Sequence, residues 1–333
     1  MERRKALIIG IDHYDAFTPL QGCVNDARSV ARVLGRHANN DINFQTPKLL
    51  LGEDKFVSVS RRELRASIET LFDDDPDIAL LYFAGHGFID GAGGYLCSSD
   101  CQDGSDGVPL VDVVNFARKS NAKNKIIILD SCHGGIVGNY QADTGTAEID
   151  EGMTLLTASS EKQYSYEGGN GAPGVFTNLL VDALDGSAAN LVGDITPGSV
   201  YAHIDQSLGA WGGQRPVFKT NVKSFVSLRK ARPPLSSDDL RLISTIFLDA
   251  NEPFALDPTF EPERSEEQKK DPLIPAPVPE NTKIFKILQA YARVNLVRPL
   301  DAEHMWHAAW YSKSCELTIL GHHYHRLVSK GLI

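Results

Sequence analysis

The sequence predicts an α/β protein, with a mostly parallel sheet covered by helices on both faces and a small, mainly helical C-terminal domain. Three observations predict it. Two continuous apolar runs, Ile78–Ala84 and Ile126–Leu129, read as strands buried on both faces. Strand-like runs alternate with helical periodicity up to about residue 220, the pattern of parallel strands joined by crossover helices. The composition then changes: residues 251–279 hold seven prolines and many charges with almost no apolar periodicity, and helical spacing resumes at Asn281. The expected divisions are residues 1–228 for the α/β domain, 229–280 for a linker and irregular Pro-rich segment, and 281–333 for a helical or winged-helix-like accessory domain.

A chain of 333 residues can bury one substantial core plus a smaller unit, and 42% hydrophobic with 23% charged residues is ordinary for a globular protein. Its five cysteines lack regular spacing, which fits a reducing compartment better than a disulfide framework. A net charge of −10 argues against a nucleic-acid partner and suits a site that takes cationic substrates. The apolar run Ala6–Ile11 is too short for a signal peptide or a membrane span. It reads as the first strand, so a cytoplasmic protein without membrane contact is expected.

The elements follow in order. Asp12-His13-Tyr14-Asp15 stands at the end of the first strand, and a helix opens within Leu20–Arg28, with Asn25 or Asp26 as candidate cap. Residues 42–51 hold a strand and a connection. Ser60 to Phe72 carries Leu64, Ile68, Leu71 and Phe72 at helical spacing, with Ser60 as cap. Gly91 to Gly107 reads as a solvated loop with a short apolar insert at Tyr95-Leu96-Cys97. Its Asp100, Asp103 and Asp106 lack the spacing and terminal glutamate of an EF-hand. Residues 110–119 form a helix. Beyond the second apolar run, residues 138–152 are polar and acidic, a natural place for proteolytic cleavage. Met153–Ala158 is a strand, Val175–Leu184 and Ser199–Leu208 are helices, and Pro216–Phe218 is a last short strand. In the C-terminal segment, Ile284, Ile287, Leu288, Tyr291 and Val294 share one helical face. Two further helices follow. The five histidines there, His304, His307, His322, His323 and His325, have no cysteine or acid set that would complete a zinc site.

The chemistry gathers where the two apolar runs end. The second runs into Asp130-Ser131-Cys132-His133-Gly134-Gly135, and the first into Gly85-His86-Gly87. An open α/β sheet places its chemistry at the carboxyl ends of its strands. A cysteine alone there reads as a buried structural residue. A histidine delivered to the same edge changes that reading, because an imidazole that draws the thiol proton makes a nucleophile. His86 is the candidate base and Cys132 the candidate nucleophile. The N–H groups of Gly87 and Cys132 are candidates for an oxyanion hole. His133 adjoins the nucleophile, but neighbouring residues on such a segment point apart.

These residues carry a likeness. Tyr82–Gly87 together with Asp130–Gly135 resembles the paired motifs of caspase-like cysteine peptidases, including the spacing from histidine to cysteine. Leu20-Gln21-Gly22-Cys23-Val24-Asn25-Asp26-Ala27 is similar to the amino-terminal signature of metacaspases and bacterial caspase homologues. The resemblance spans residues 1 to about 225. It implies a caspase-fold cysteine endopeptidase with a His86/Cys132 dyad, cutting after arginine or lysine. Asp26 and Asp130 stand at the matching positions for acids that receive the basic side chain, and Glu161 lies near a further one. A cation entering a partly dry pocket needs carboxylate partners. Glu161-Lys162 replaces the paired aspartates of many relatives, which leaves calcium activation open without a clear motif for it. No cofactor or metal is expected.

By the same likeness, some bacterial caspase homologues act in antiviral or cell-suicide pathways, and residues 281–333 would recruit a partner or restrain the protease. An activating protease would cut within 138–152 or 261–270, where Arg264, Lys269 and Lys270 lie. The reading from another class is a catalytically silent scaffold that binds partners through its C-terminal domain. The intact His86 and Cys132 weigh against it.

Overall fold

The computed structural model describes residues 2–131, 149–158, 174–210, 215–222 and 224–333. Strand β1 (Arg4–Ile11) leads into helix α1 (Cys23–Gly35), followed by β2 (Lys48–Gly52), α2 (Arg61–Asp73) and β3 (Ile78–Ala84). A small antiparallel sheet of β4 (Gly87–Asp90), β5 (Gly93–Leu96) and β6 (Val108–Pro109) comes next, then α3 (Leu110–Lys119), β7 (Asn124–Asp130) and β8 (Met153–Thr157). Helix α4 (Val175–Asp182), β9 (Asp194–Ile195), α5 (Pro197–Leu208), β10 (Val217–Asn221) and β11 (Arg229–Lys230) complete this part. Six strands form the main sheet in the order β10-β8-β7-β3-β1-β2, all parallel except the antiparallel edge strand β10.

Strands β3 and β7 lie at the centre and are buried at every residue, which is why Ile78–Ala84 and the Ile126–Leu129 part of β7 read as unbroken apolar runs. The period of two sorts their side chains onto two cores. Ile8, Tyr82, Ile126 and Ile128 face one way and pack with residues of α1, α4 and α5. Ile9, Leu81, Phe83, Ile127 and Leu129 face the other and pack with α2 and α3.

Helix α1 crosses very close to β1. A Cβ on Gly10 would lie 2.2 Å from the carbonyl oxygen of Cys23, so glycine is required there. Neither Asn25 nor Asp26 caps this helix. Asp12, just past β1, accepts the N–H groups of Cys23 at 2.8 Å and Val24 at 3.4 Å, and thus ties the helix start to the strand end. Ser60 does cap α2, accepting from the Glu63 N–H at 3.3 Å. The Gly91–Gly107 stretch is less loop-like than expected, because Gly93–Leu96 pairs as β5 between β4 and β6. Lys125 is a buried lysine in β7. Its Nζ donates to the Glu151 carbonyl at 2.9 Å, and burial lowers its pKa.

Residues 1–232 form one compact unit and 233–333 a second, smaller one. In the second, α6 (Ser237–Arg241), α7 (Ile243–Ile246), β12 (Phe254–Ala255) and α8 (Glu266–Lys270) precede α9 (Pro279–Arg293), β13 (Val297–Leu300), α10 (Met305–Trp310), β14 (Ser314–Leu317) and α11 (Ile319–Ser329). The short strands make an antiparallel sheet in the order β12-β14-β13 beside the helices. Residues 233–280, expected as linker, contribute Leu240, Ile243, Phe247, Leu256 and Phe260 to buried positions. Leu240, Ile243 and Phe247 follow an i, i+3, i+7 helical spacing that the linker expectation passes over, whereas Leu256 and Phe260 sit singly among prolines and acids. Among the described residues, no helix is long and apolar enough to cross a membrane.

Candidate active site

The register fixes where the two motifs lie. Gly10 pairs with Ala84, and Ala84 pairs with Asp130, so β1, β3 and β7 end side by side. The pairing persists one residue further, with the Gly85 N–H donating to the Asp130 carbonyl at 3.3 Å. His86 follows at this edge.

Contacts to both its backbone and its ring hold His86. Its N–H donates to the Tyr14 hydroxyl at 2.8 Å, and its carbonyl accepts from the Cys97 N–H at 3.0 Å. Its ring lies against Tyr14, centroids 4.7 Å apart, and Nε2 is 2.8 Å from the Thr18 carbonyl oxygen. A carbonyl only accepts, so Nε2 carries the proton. In the neutral ring this leaves Nδ1 as the unprotonated, basic nitrogen. Gly85 belongs to the same arrangement, since a Cβ there would lie 2.6 Å from the Tyr14 hydroxyl.

Tyr14 and Thr18 were not singled out by sequence. Tyr14 falls in the strand-end cluster Asp12–Asp15, a signal that was visible. Thr18 contributes a main-chain oxygen, for which residue type carries no signal.

Strand β7 ends at Asp130, and Ser131 is the last described residue before the candidate nucleophile. Cys132 and Glu161 lie outside the described residues, as do residues 138–148 of the expected cleavage loop. Gly87 opens β4, opposite Leu96. The described cysteines, Cys23, Cys97, Cys101 and Cys315, are all free thiols and all buried. Burial pushes the Cys315 thiol up to about 12. Cys97 donates to Cys101, an interaction that raises Cys97 and lowers Cys101.

The two acids of the expected pocket for a basic side chain are both buried, Asp26 at 3% exposure and Asp130 at 8%. Asp26 sits in the first turn of α1, and its Oδ2 accepts the Gly174 N–H at 3.2 Å. Asp130 Oδ2 accepts the Thr177 hydroxyl at 2.7 Å, and Thr177 Oγ1 is 2.6 Å from the Tyr82 hydroxyl. Burial, then the charges of Asp130 and Asp26, raise the Tyr82 phenol well above its ordinary range. Both carboxylates therefore act on one buried phenol, and the start of α4 touches both. In the sequence Thr177 stands out only as part of the expected Val175–Leu184 helix.

The acidic loop is occupied with its own turns. Asp100 accepts from the Arg61 N–H and the Ser98 hydroxyl, Asp103 from Ser105, and Asp106 from the Gln102 N–H. Among the described residues, no three His, Cys, Asp or Glu side chains converge in a way that could hold a metal.

Residues 3–226 match the profile of a peptidase family described as the caspase domain. Among solved structures, caspase-1 from Spodoptera frugiperda aligns at a TM-score of 0.50 and 15% identity, over 69% of this chain and 92% of its own. Protein GSU0716 from Geobacter sulfurreducens aligns at a TM-score of 0.49 and 18% identity, over 69% of this chain and 98% of its own. No curated protein sequence matches the chain.

Proposed function

The chain belongs to the caspase-domain peptidase family, and from that premise we propose that it is a cysteine endopeptidase cleaving after arginine or lysine. Cys132 is the nucleophile and His86 the general base. One observation carries this reading: the Nε2–H of His86 is committed to the Thr18 carbonyl. The basic Nδ1 is thereby reserved at the edge where β7 runs out toward Cys132.

In the proposed reaction, Nδ1 takes the Cys132 proton and the thiolate attacks the scissile carbonyl. The N–H groups of Gly87 and Cys132 receive the developing oxyanion. The imidazolium then returns its proton to the leaving amine, and water hydrolyses the thioester with His86 again as base. Asp26 and Asp130, with Glu161, receive the substrate's cation.

Peptide acyloxymethyl ketones ending in Arg, Lys, Leu or Asp test the assignment. The expected result is rapid, stoichiometric labelling of Cys132 by the Arg and Lys reagents and none in Cys132→Ala. Faster labelling by the Asp reagent, or equal labelling by all four, overturns the specificity. No labelling of Cys132 overturns the peptidase.

A further inference from the structure

The two pocket acids are gripped by one helix end, through groups that had no assigned task. The Gly174 N–H holds Asp26 and the Thr177 hydroxyl holds Asp130. The direction of the longer chain follows from chemistry. An ionised carboxylate only accepts, so the Thr177 hydroxyl donates to Asp130. Its proton being used, the 2.6 Å contact with Tyr82 requires the phenol to donate to Thr177. Tyr82 is 0% and Thr177 1% exposed, so water does not compete for either bond.

We propose that Thr177 is the positioning residue that sets the preference for basic side chains. Its hydroxyl, aimed by Tyr82, fixes Asp130 Oδ2 and so orients the carboxylate toward the guanidinium or ammonium of the bound residue. This rests on the reading of Asp26 and Asp130 as the acidic pocket. A hydroxyl in this role cannot be replaced by a methyl of the same shape. A threonine serving only to fill the core could be.

The test uses the full chain carrying Cys132→Ala, so that nothing turns over. Acetyl-Gly-Arg, acetyl-Gly-Lys and acetyl-Gly-Leu are titrated calorimetrically against the Thr177, Thr177→Val, Thr177→Ser and Tyr82→Phe forms. Thr177→Val is expected to weaken the arginine peptide about tenfold, the strength of a charge-assisted hydrogen bond. Thr177→Ser should return it to within about twofold, and Tyr82→Phe, which leaves the hydroxyl free to turn, should cost about threefold. The leucine peptide should not change. Equal arginine binding in Thr177→Val, or a Thr177→Ser form as weak as Thr177→Val, overturns the proposal. If Thr177→Val does not fold, an unchanged Tyr82→Phe form does so instead.

The two readings fail separately. Thr177-dependent arginine binding in a protein whose Cys132 resists every ketone keeps this proposal and removes the peptidase. A Cys132 labelled by ketones in a protein that binds no arginine peptide removes this proposal and keeps the peptidase.

Discussion

His86 and Thr18 are joined across sixty-eight residues by a 2.8 Å bond from the imidazole Nε2 to a main-chain oxygen. Because the acceptor belongs to the backbone, the side chain of Thr18 is not needed to hold the tautomer. Thr18→Ala should therefore keep near-normal kcat/KM on arginine peptides. His86→Ala should lose about 10²–10⁴-fold, the usual worth of a positioned base. Steady-state kinetics on the two variants check this. A Thr18→Ala enzyme as damaged as His86→Ala would show that the hydroxyl, and not the carbonyl, orients the ring.

The Tyr14 hydroxyl serves the same histidine from the backbone side. Tyr14→Phe strands the His86 N–H in a half-buried place and should cost about 1–3 kcal/mol in urea unfolding. Gly85→Ala forces a methyl to 2.6 Å from that hydroxyl oxygen and 3.0 Å from the Phe83 ring. It should destabilise the wild-type chain by about 1–3 kcal/mol, and by less in the Tyr14→Phe background, where one of the two obstacles is gone. Equal costs in the two backgrounds would mean that the contact does not limit Gly85.

The sheet was legible in the sequence because its central strands are buried on both faces, and burial on both faces writes a continuous apolar run. Ile78–Ala84 is such a strand, and Ile126–Leu129 is the apolar stretch of another. His86 was legible for the same reason, since the end of an apolar strand is visible wherever it falls. What supports the site was harder to see. Asp12 caps α1 from eleven residues upstream of Cys23, so the cap does not occupy the position beside the helix where a capping signal is sought. Thr177 meets Asp130 from forty-seven residues away, and one hydroxyl on a helix carries no periodic mark. The second unit shows the same limit at Phe260, which is buried between Pro258 and Pro262 without a sustained repeat around it.

Asp12 also makes stability depend on pH with a defined sign. Burial raises its carboxyl above the ordinary 3.8, with the Cys23 and Val24 N–H groups pulling partly the other way. The folded chain therefore holds this proton more tightly than the unfolded chain. The resulting contribution is fully present below the unfolded value and is lost as pH rises through the raised folded one. Asp12→Asn keeps an oxygen for the two N–H groups and cannot titrate. The urea midpoint of the wild type minus that of Asp12→Asn should fall as pH rises from below the ordinary carboxyl value toward neutrality. A difference that stays flat or grows over that range would contradict the assignment.

If Cys132 is the nucleophile, its thiol should be set apart from the four buried cysteines by its reactivity. Alkylation needs a thiolate that the reagent can reach. Cys23, Cys97, Cys101 and Cys315 are buried, and burial pushes Cys315 to about 12, where almost no thiolate exists near neutral pH. Cys101 is the closest competitor, because donation from Cys97 lowers its pKa, yet at 1% exposure the sulfur is out of reach of iodoacetamide. Limited treatment of the native chain near neutral pH, followed by peptide mapping, should find carboxamidomethyl groups at Cys132 alone. In urea all five cysteines should react. Native modification of Cys101 or Cys315 ahead of Cys132 would mean that Cys132 lacks an activating base, and the role given to His86 would fall with it.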